Sequence, residues 1–99
     1  MDASPGILVT QLVWLHPGRE AEFEAFEAAV LPLLAKYGGE FLLRAKPHKD
    51  GGDIDVPDEI HVVRFDNEEA LARFTADDAR RALLPQKEAA VRKSVLVSG

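Results

Sequence analysis

Arg44, Arg64, Gln11 and the histidines are the residues of this chain whose types and settings could do chemistry. Arg44 closes Phe41-Leu42-Leu43, Arg64 interrupts Val62-Val63 and Phe65, and Gln11 is a polar member of Ile7–Leu15. A guanidinium among apolar neighbours binds a carboxylate bidentately, so Gln11, Arg44 and Arg64 are the candidate ligand-binding residues, for an anionic ligand. The same arginines serve as partners of Asp or Glu across a dimer or at its rim, and structural ion pairs of that kind outnumber sites. Histidine is the residue type suited to general base or acid work at neutral pH, which makes His61 a candidate, although a hydrogen-bonded core or edge histidine fits its position as well. His16 precedes Pro17, where a helix cap belongs; it reads as a surface turn residue or as the mouth of a pocket. His61 and His16 are the candidate catalytic residues, and His48 lies in a polar loop facing water.

Metal chemistry finds no ligand set. The histidines lack H-x-x-x-H spacing, and there is no cysteine to supply thiolate. Asp50, Asp53, Asp55, Asp58 and Glu59 form an acidic stretch without the D-x-D-x-D-G order of a calcium loop, so a solvated loop is expected. No phosphate-cradling glycine loop, G-x-S-x-G elbow or dinucleotide fingerprint occurs, and no cofactor is expected. Trp14 and Tyr37 suit core packing, or the wall of a pocket for an aromatic compound.

The elements that must position these residues follow from periodicity. Residues 7–15 are β-branched and large apolar, a strand. Pro17-Gly18 opens a helix to about Tyr37, with Phe23, Phe26, Val30, Leu34 and Tyr37 as its buried stripe. Pro32 bends that helix without ending it, and Gly38-Gly39 stops it. Strands at about 40–46 and 59–65 flank a loop from Pro47 to Asp58. Asp66 or Asn67 caps a helix carrying Leu71 and Phe74, and Thr75 with Asp78 starts a further helical segment through Leu84, where Pro85 breaks it or begins another turn. Ser94–Ser98 is the last strand. The order β-α-β-β-α-β predicts the ferredoxin-like α+β plan: a four-stranded antiparallel sheet with helices on one face.

Ninety-nine residues make one domain, residues 1–99, with a thin stability margin. Charge is spread evenly, with five basic against seven acidic residues in 1–50 and seven against ten in 51–99. No basic stripe exists to meet phosphates, which argues against nucleic acid and anionic membrane surfaces. Met1–Gly6 shows no basic leader or hydrophobic signal core, so a cytoplasmic location is expected.

The sheet has too much grease for one layer of helices. Assigning Phe41, Leu43, Val63 and Phe65 to the helices leaves Val9, Gln11, Val13, Leu42, Arg44, Ile60, Val62 and Arg64 on the open face. Five or six aliphatic side chains at about 1.5–3 kcal/mol each amount to roughly 10 kcal/mol of unrealised burial, an upper bound. The simplest cover is an identical sheet about a two-fold axis, so a homodimer is expected.

The chain also resembles the dimeric α+β-barrel superfamily, which includes antibiotic-biosynthesis monooxygenases, EthD-like proteins and stress-responsive A/B-barrel proteins. It is most similar there to a bacterial family of roughly hundred-residue domains of unknown function. The resemblance rests on His16-Pro17 after the first strand, Val30-Leu31-Pro32, and Lys36-Tyr37-Gly38-Gly39-Glu40-Phe41-Leu42-Leu43-Arg44. It continues through His61-Val62-Val63-Arg64-Phe65-Asp66, Glu69-Ala70-Leu71 and Ala82-Leu83-Leu84-Pro85. It implies a dimeric barrel holding a small molecule, with a cofactor-independent, monooxygenase-like activity on an aromatic or polyketide-like compound as one outcome. A non-enzymatic interaction module, whose sheet face serves only dimerisation, is the other. The haem-degrading branch uses an asparagine; the one here, Asn67, stands at a helix start, so that activity is not expected.

Overall fold

A computed structural model describes residues 6–49, 51–52 and 54–99; Asp50 and Asp53 of the acidic stretch lie outside them. The elements are β1 (Ile7–Leu15), α1 (Glu20–Lys36), β2 (Glu40–Ala45), β3 (Glu59–Phe65), α2 (Glu68–Ala76), α3 (Asp78–Ala90) and β4 (Val91–Ser98). The four strands form one antiparallel sheet in the order β2-β3-β1-β4, the ferredoxin-like arrangement. Among the described residues no helix is long and apolar enough to cross a membrane.

Local chemistry sets the boundaries. α1 ends at Lys36 with Tyr37 as its C-cap, and Gly38 takes the left-handed conformation (φ 74°) that a chain reversal there requires. α2 is capped by Asn67, whose side chain accepts from the Ala70 amide at 2.8 Å. Asp77, rather than Thr75, caps α3, accepting from the Arg80 amide at 2.9 Å; the Thr75 hydroxyl donates back to the Leu71 carbonyl. Pro85 lies inside α3, which runs on to Ala90. β4 consequently starts at Val91, three residues before the expected Ser94. The loop before β3 is pinned to β1: Asp58 accepts from the Leu15 amide at 2.7 Å, and the Trp14 indole donates to the Asp55 carbonyl at 2.9 Å.

Register decides which side chains meet the helices. The odd residues of β1 pair with the odd residues of β3, Ile7 with Phe65 through Val13 with Glu59. Val9, Val13 and Phe65 are buried against α1 and α2, so this whole set faces the helices. The expected placing of Val9, Gln11 and Val13 on the open face is therefore reversed; a one-residue choice of phase inverts a strand. The second correction comes from a β-bulge at Leu42. Phe41 pairs with Val63, but Leu43 pairs with Val62 and Arg44 with His61. The extra residue moves Leu43 to the open face and turns Arg44 to the helix side, opposite to simple alternation.

The open face nonetheless remains apolar. Leu8, Leu12, Ile60, Val62, Leu43, Val95 and Val97 lie on it by register, with Leu43 49% and Val97 61% exposed. Trp14 closes one end, with the Lys93 ammonium 4.4 Å above its ring.

Candidate functional site

A polar row crosses the helix side of the sheet. Arg44 on β2 pairs with His61 on β3, His61 with Gln11 on β1, and Gln11 with Leu96 on β4. This row separates two buried clusters. Val13, Leu15, Phe23, Phe26 and Ala90 pack on one side, and Val9, Leu34 and Phe65 on the other. His61 is 3% exposed, with its ring between Phe23 (centroids 5.9 Å apart) and Phe41 (5.2 Å).

The two carboxyls beside His61, Glu27 and Glu59, are buried and connected to it. Its Nε2 lies 2.8 Å from Glu59 Oε1, and its Nδ1 lies 3.9 Å from Glu27 Oε2. Glu59 is in turn forked by Arg44, with Nε at 2.6 Å from Oε1 and Nη2 at 3.1 Å from Oε2, and Arg44 also bonds Glu24 on α1. Burial opposes ionisation of Glu59, but the hydrogen bonds from Arg44 and His61 outweigh it and hold its carboxyl below the usual range. Glu59 is then an acceptor only, so the proton of that contact belongs to His61 Nε2, and Nδ1 faces the Glu27 side. Glu27 moves the other way. Burial pushes its carboxyl up, more strongly than the nearby His61 and Arg44 pull it down. The two carboxyls flanking the imidazole are thus driven apart, Glu59 towards the anion and Glu27 towards the neutral acid.

Glu27 and His61 open onto a cavity of about 200 Å³ between the sheet and the three helices. Its walls are mainly apolar, with Val30, Leu34, Phe41, Leu71 and Phe74 prominent, and Gln11, Arg80 and Lys87 add polar groups. Arg80 and Lys87, seven residues apart on α3, present along the same side of that helix. Burial depresses both cations, and Arg80 depresses Lys87 further, while Glu27 offsets part of this.

Of the residues singled out from the sequence, Gln11, Arg44 and His61 come together in the polar row. Arg64 does not: it lies on the opposite face, bonded to Asp66 at 2.9 Å. His16 is an exposed turn residue whose amide donates to the Ala90 carbonyl, and His48 is exposed. Asp58 pairs with Lys49 and Asp55 with Arg92, so both acidic loop residues hold chain segments together. Glu27, Arg80 and Lys87 escaped the sequence reading, and Glu59, expected in a solvated acidic loop, is instead a buried residue of β3. Glu27 carried a signal, because it falls within the stripe Phe23, Phe26, Val30 and Leu34, where a carboxylate is out of place. Glu59 alternates with His61 and Val63, and was legible once that phase was set.

No curated protein matches the chain. Solved structures do, at identities that establish the fold alone. A protein of unknown function from Rhodopseudomonas palustris aligns over 94% of this chain and 79% of its own, at 18% identity and a TM-score of 0.80. A dimeric protein of unknown function with a ferredoxin-like fold, from Bacteroides fragilis, aligns over 94% and 93% at 13% identity and a TM-score of 0.71. A Dabb family protein with a ferredoxin-like fold, from Mesorhizobium loti, aligns over 94% and 93% at 16% identity and a TM-score of 0.70. These accord with the resemblance to a small bacterial family of the α+β-barrel class. A family match covers residues 12–99, and by it the chain belongs to the family described as "Domain of unknown function (DUF1330)".

Proposed function

We propose that the chain is a small-molecule-binding homodimer whose helix-side cavity moves a proton on a small aromatic ligand without a cofactor. The observation that carries this reading is the opening of the Glu27–His61 pair onto a mainly apolar cavity between sheet and helices. His61 Nδ1 is the base. When it takes a proton, the ionised Glu59, held by Arg44, stabilises the imidazolium and fixes the ring. Glu27 is the acid that returns a proton. Of a monooxygenase-like reaction, these residues account for removal of the substrate proton.

Size narrows the ligand. An apolar cavity of about 150 Å³ takes benzene, so about 200 Å³ favours a one-ring compound over a larger polyketide. An interaction module needs only a packed, dry core behind its sheet, and a buried polar row beside a cavity favours the binding reading over it.

Dimerisation belongs to the other face. Leu8, Leu43, Val95 and Val97 are each at least 39% exposed on a sheet side that no helix covers. A second copy about a two-fold axis buries that set against itself, sheet on sheet at about 10 Å. The dimeric description of the Bacteroides fragilis relative supports the pairing.

The ligand site is tested by titrating ¹⁵N-labelled protein with toluene. Amide shifts concentrated at Val30, Leu34, Leu71 and Phe74 are expected. Shifts confined to the open sheet face, or none up to the solubility limit, would overturn the site.

A further inference from the structure

The cavity has a second polar end, away from His61. Arg80 Nη1 donates to the Thr75 carbonyl at 3.2 Å, and the guanidinium sits 5.1 Å over the Phe74 ring. Neither Arg80 nor Lys87 has a carboxylate oxygen within 4.0 Å among the described residues. The contrast with Arg44 is sharp: that guanidinium, on the same side of the sheet, holds two carboxylates. Two cations that face one cavity with no carboxylate in salt-bridge reach are costly in the empty protein, and Glu27 offsets only part of that cost at Lys87. The group that relieves that cost is a carboxylate carried by the ligand.

Resting on the cavity reading above, we propose that the cavity selects a monocyclic aromatic carboxylate. Arg80 and Lys87 take the carboxylate, and the ring lies among Val30, Leu34, Leu71 and Phe74, with its far edge towards His61 and Glu27. Arg80 offers the planar fork and Lys87 a mobile point charge that closes on the anion. Their seven-residue spacing, about 10 Å along α3, lets the two chains converge from either side. The carboxylate fixes orientation, so the atom that loses its proton is set by its distance from the cation pair.

Isothermal titration calorimetry with phenylacetate and its neutral counterpart 2-phenylethanol tests this on the intact chain. The expected result is at least tenfold tighter binding of phenylacetate. Arg80→Met and Lys87→Met should each weaken phenylacetate about tenfold and leave 2-phenylethanol unchanged. Equal affinity for the acid and the alcohol would overturn the selectivity while leaving the cavity reading in place. Failure of both compounds and of toluene to bind would overturn both. The comparison of the two ligands on the parent chain decides the matter even if a variant fails to fold.

Discussion

His61 Nε2 lies 2.8 Å from Glu59 Oε1, two residues back on the same strand and on the same face of the sheet. That contact fixes a buried imidazole in one tautomer and gives it an anion to lean on. Strand pairing then supports the anion, because the bulge at Leu42 delivers Arg44 to Glu59. Removing the charge should show how much of the fold depends on it. Glu59→Gln is expected to cost about 1–3 kcal/mol, since Arg44 and His61 lose a charged acceptor in a buried setting. Urea denaturation would read this as a lower midpoint with an unchanged slope.

The same carboxylate predicts an acid limb. Glu59 has a folded pKa below its ordinary 4.5, so its stabilisation is fully present above pH 4.5 and is lost as pH falls through the folded value. Thermal melts of the parent should drop through that window. In Glu59→Gln this contribution to the drop should be missing, and an identical acid profile would contradict the assignment.

Glu27 should behave in the opposite sense. Its folded pKa is raised above 4.5, so the protein favours the protonated form, and stability declines as pH rises from 4.5 through the folded value. Glu27→Gln is expected to melt higher than the parent at pH 7, by about 4–8 °C for each 1 kcal/mol relieved. Below pH 4.5 the two should converge. A variant less stable than the parent at pH 7 would show that Glu27 is held there as an anion by His61, Arg44 and Lys87.

The ferredoxin-like order was legible because each element carries its own punctuation. Gly38-Gly39 stops α1, Asn67 caps α2, and the apolar periods on either side change from helical to strand spacing. Pro85 was legible as a residue but not as an outcome, since packing of α3 against α1 carries the helix past it. The site was harder to read. Gln11, Arg44 and His61 stood out by type, yet their common face depended on one inserted residue at Leu42, and nothing in Phe41-Leu42-Leu43-Arg44 marks a bulge. Arg80 and Lys87 carry no signal in the sequence, because only the packing of α3 over the cavity distinguishes them from solvated side chains. Resemblance supplied the dimeric barrel as an expectation, and no residue-level chemistry came with it.

Gly39 tests the packing behind the site. A Cβ there would fall 2.4 Å from Leu34 Cδ1, in the cluster that walls the cavity, and its amide already bonds the Leu34 carbonyl at 2.9 Å. Gly39→Ala is expected to destabilise by about 1–3 kcal/mol through this overpacking. It should also weaken toluene binding, read by the same amide-shift titration, because Leu34 must move.

In the proposed function the sheet works from both sides, one pairing copies and the other facing the ligand. Sedimentation equilibrium at micromolar concentration tests this most directly, with the parent and Leu43→Glu side by side. The parent should sediment at twice its chain mass of 10.9 kDa, and the variant, with a carboxylate in the apolar face, at the chain mass itself. A parent that sediments as a monomer would contradict the account.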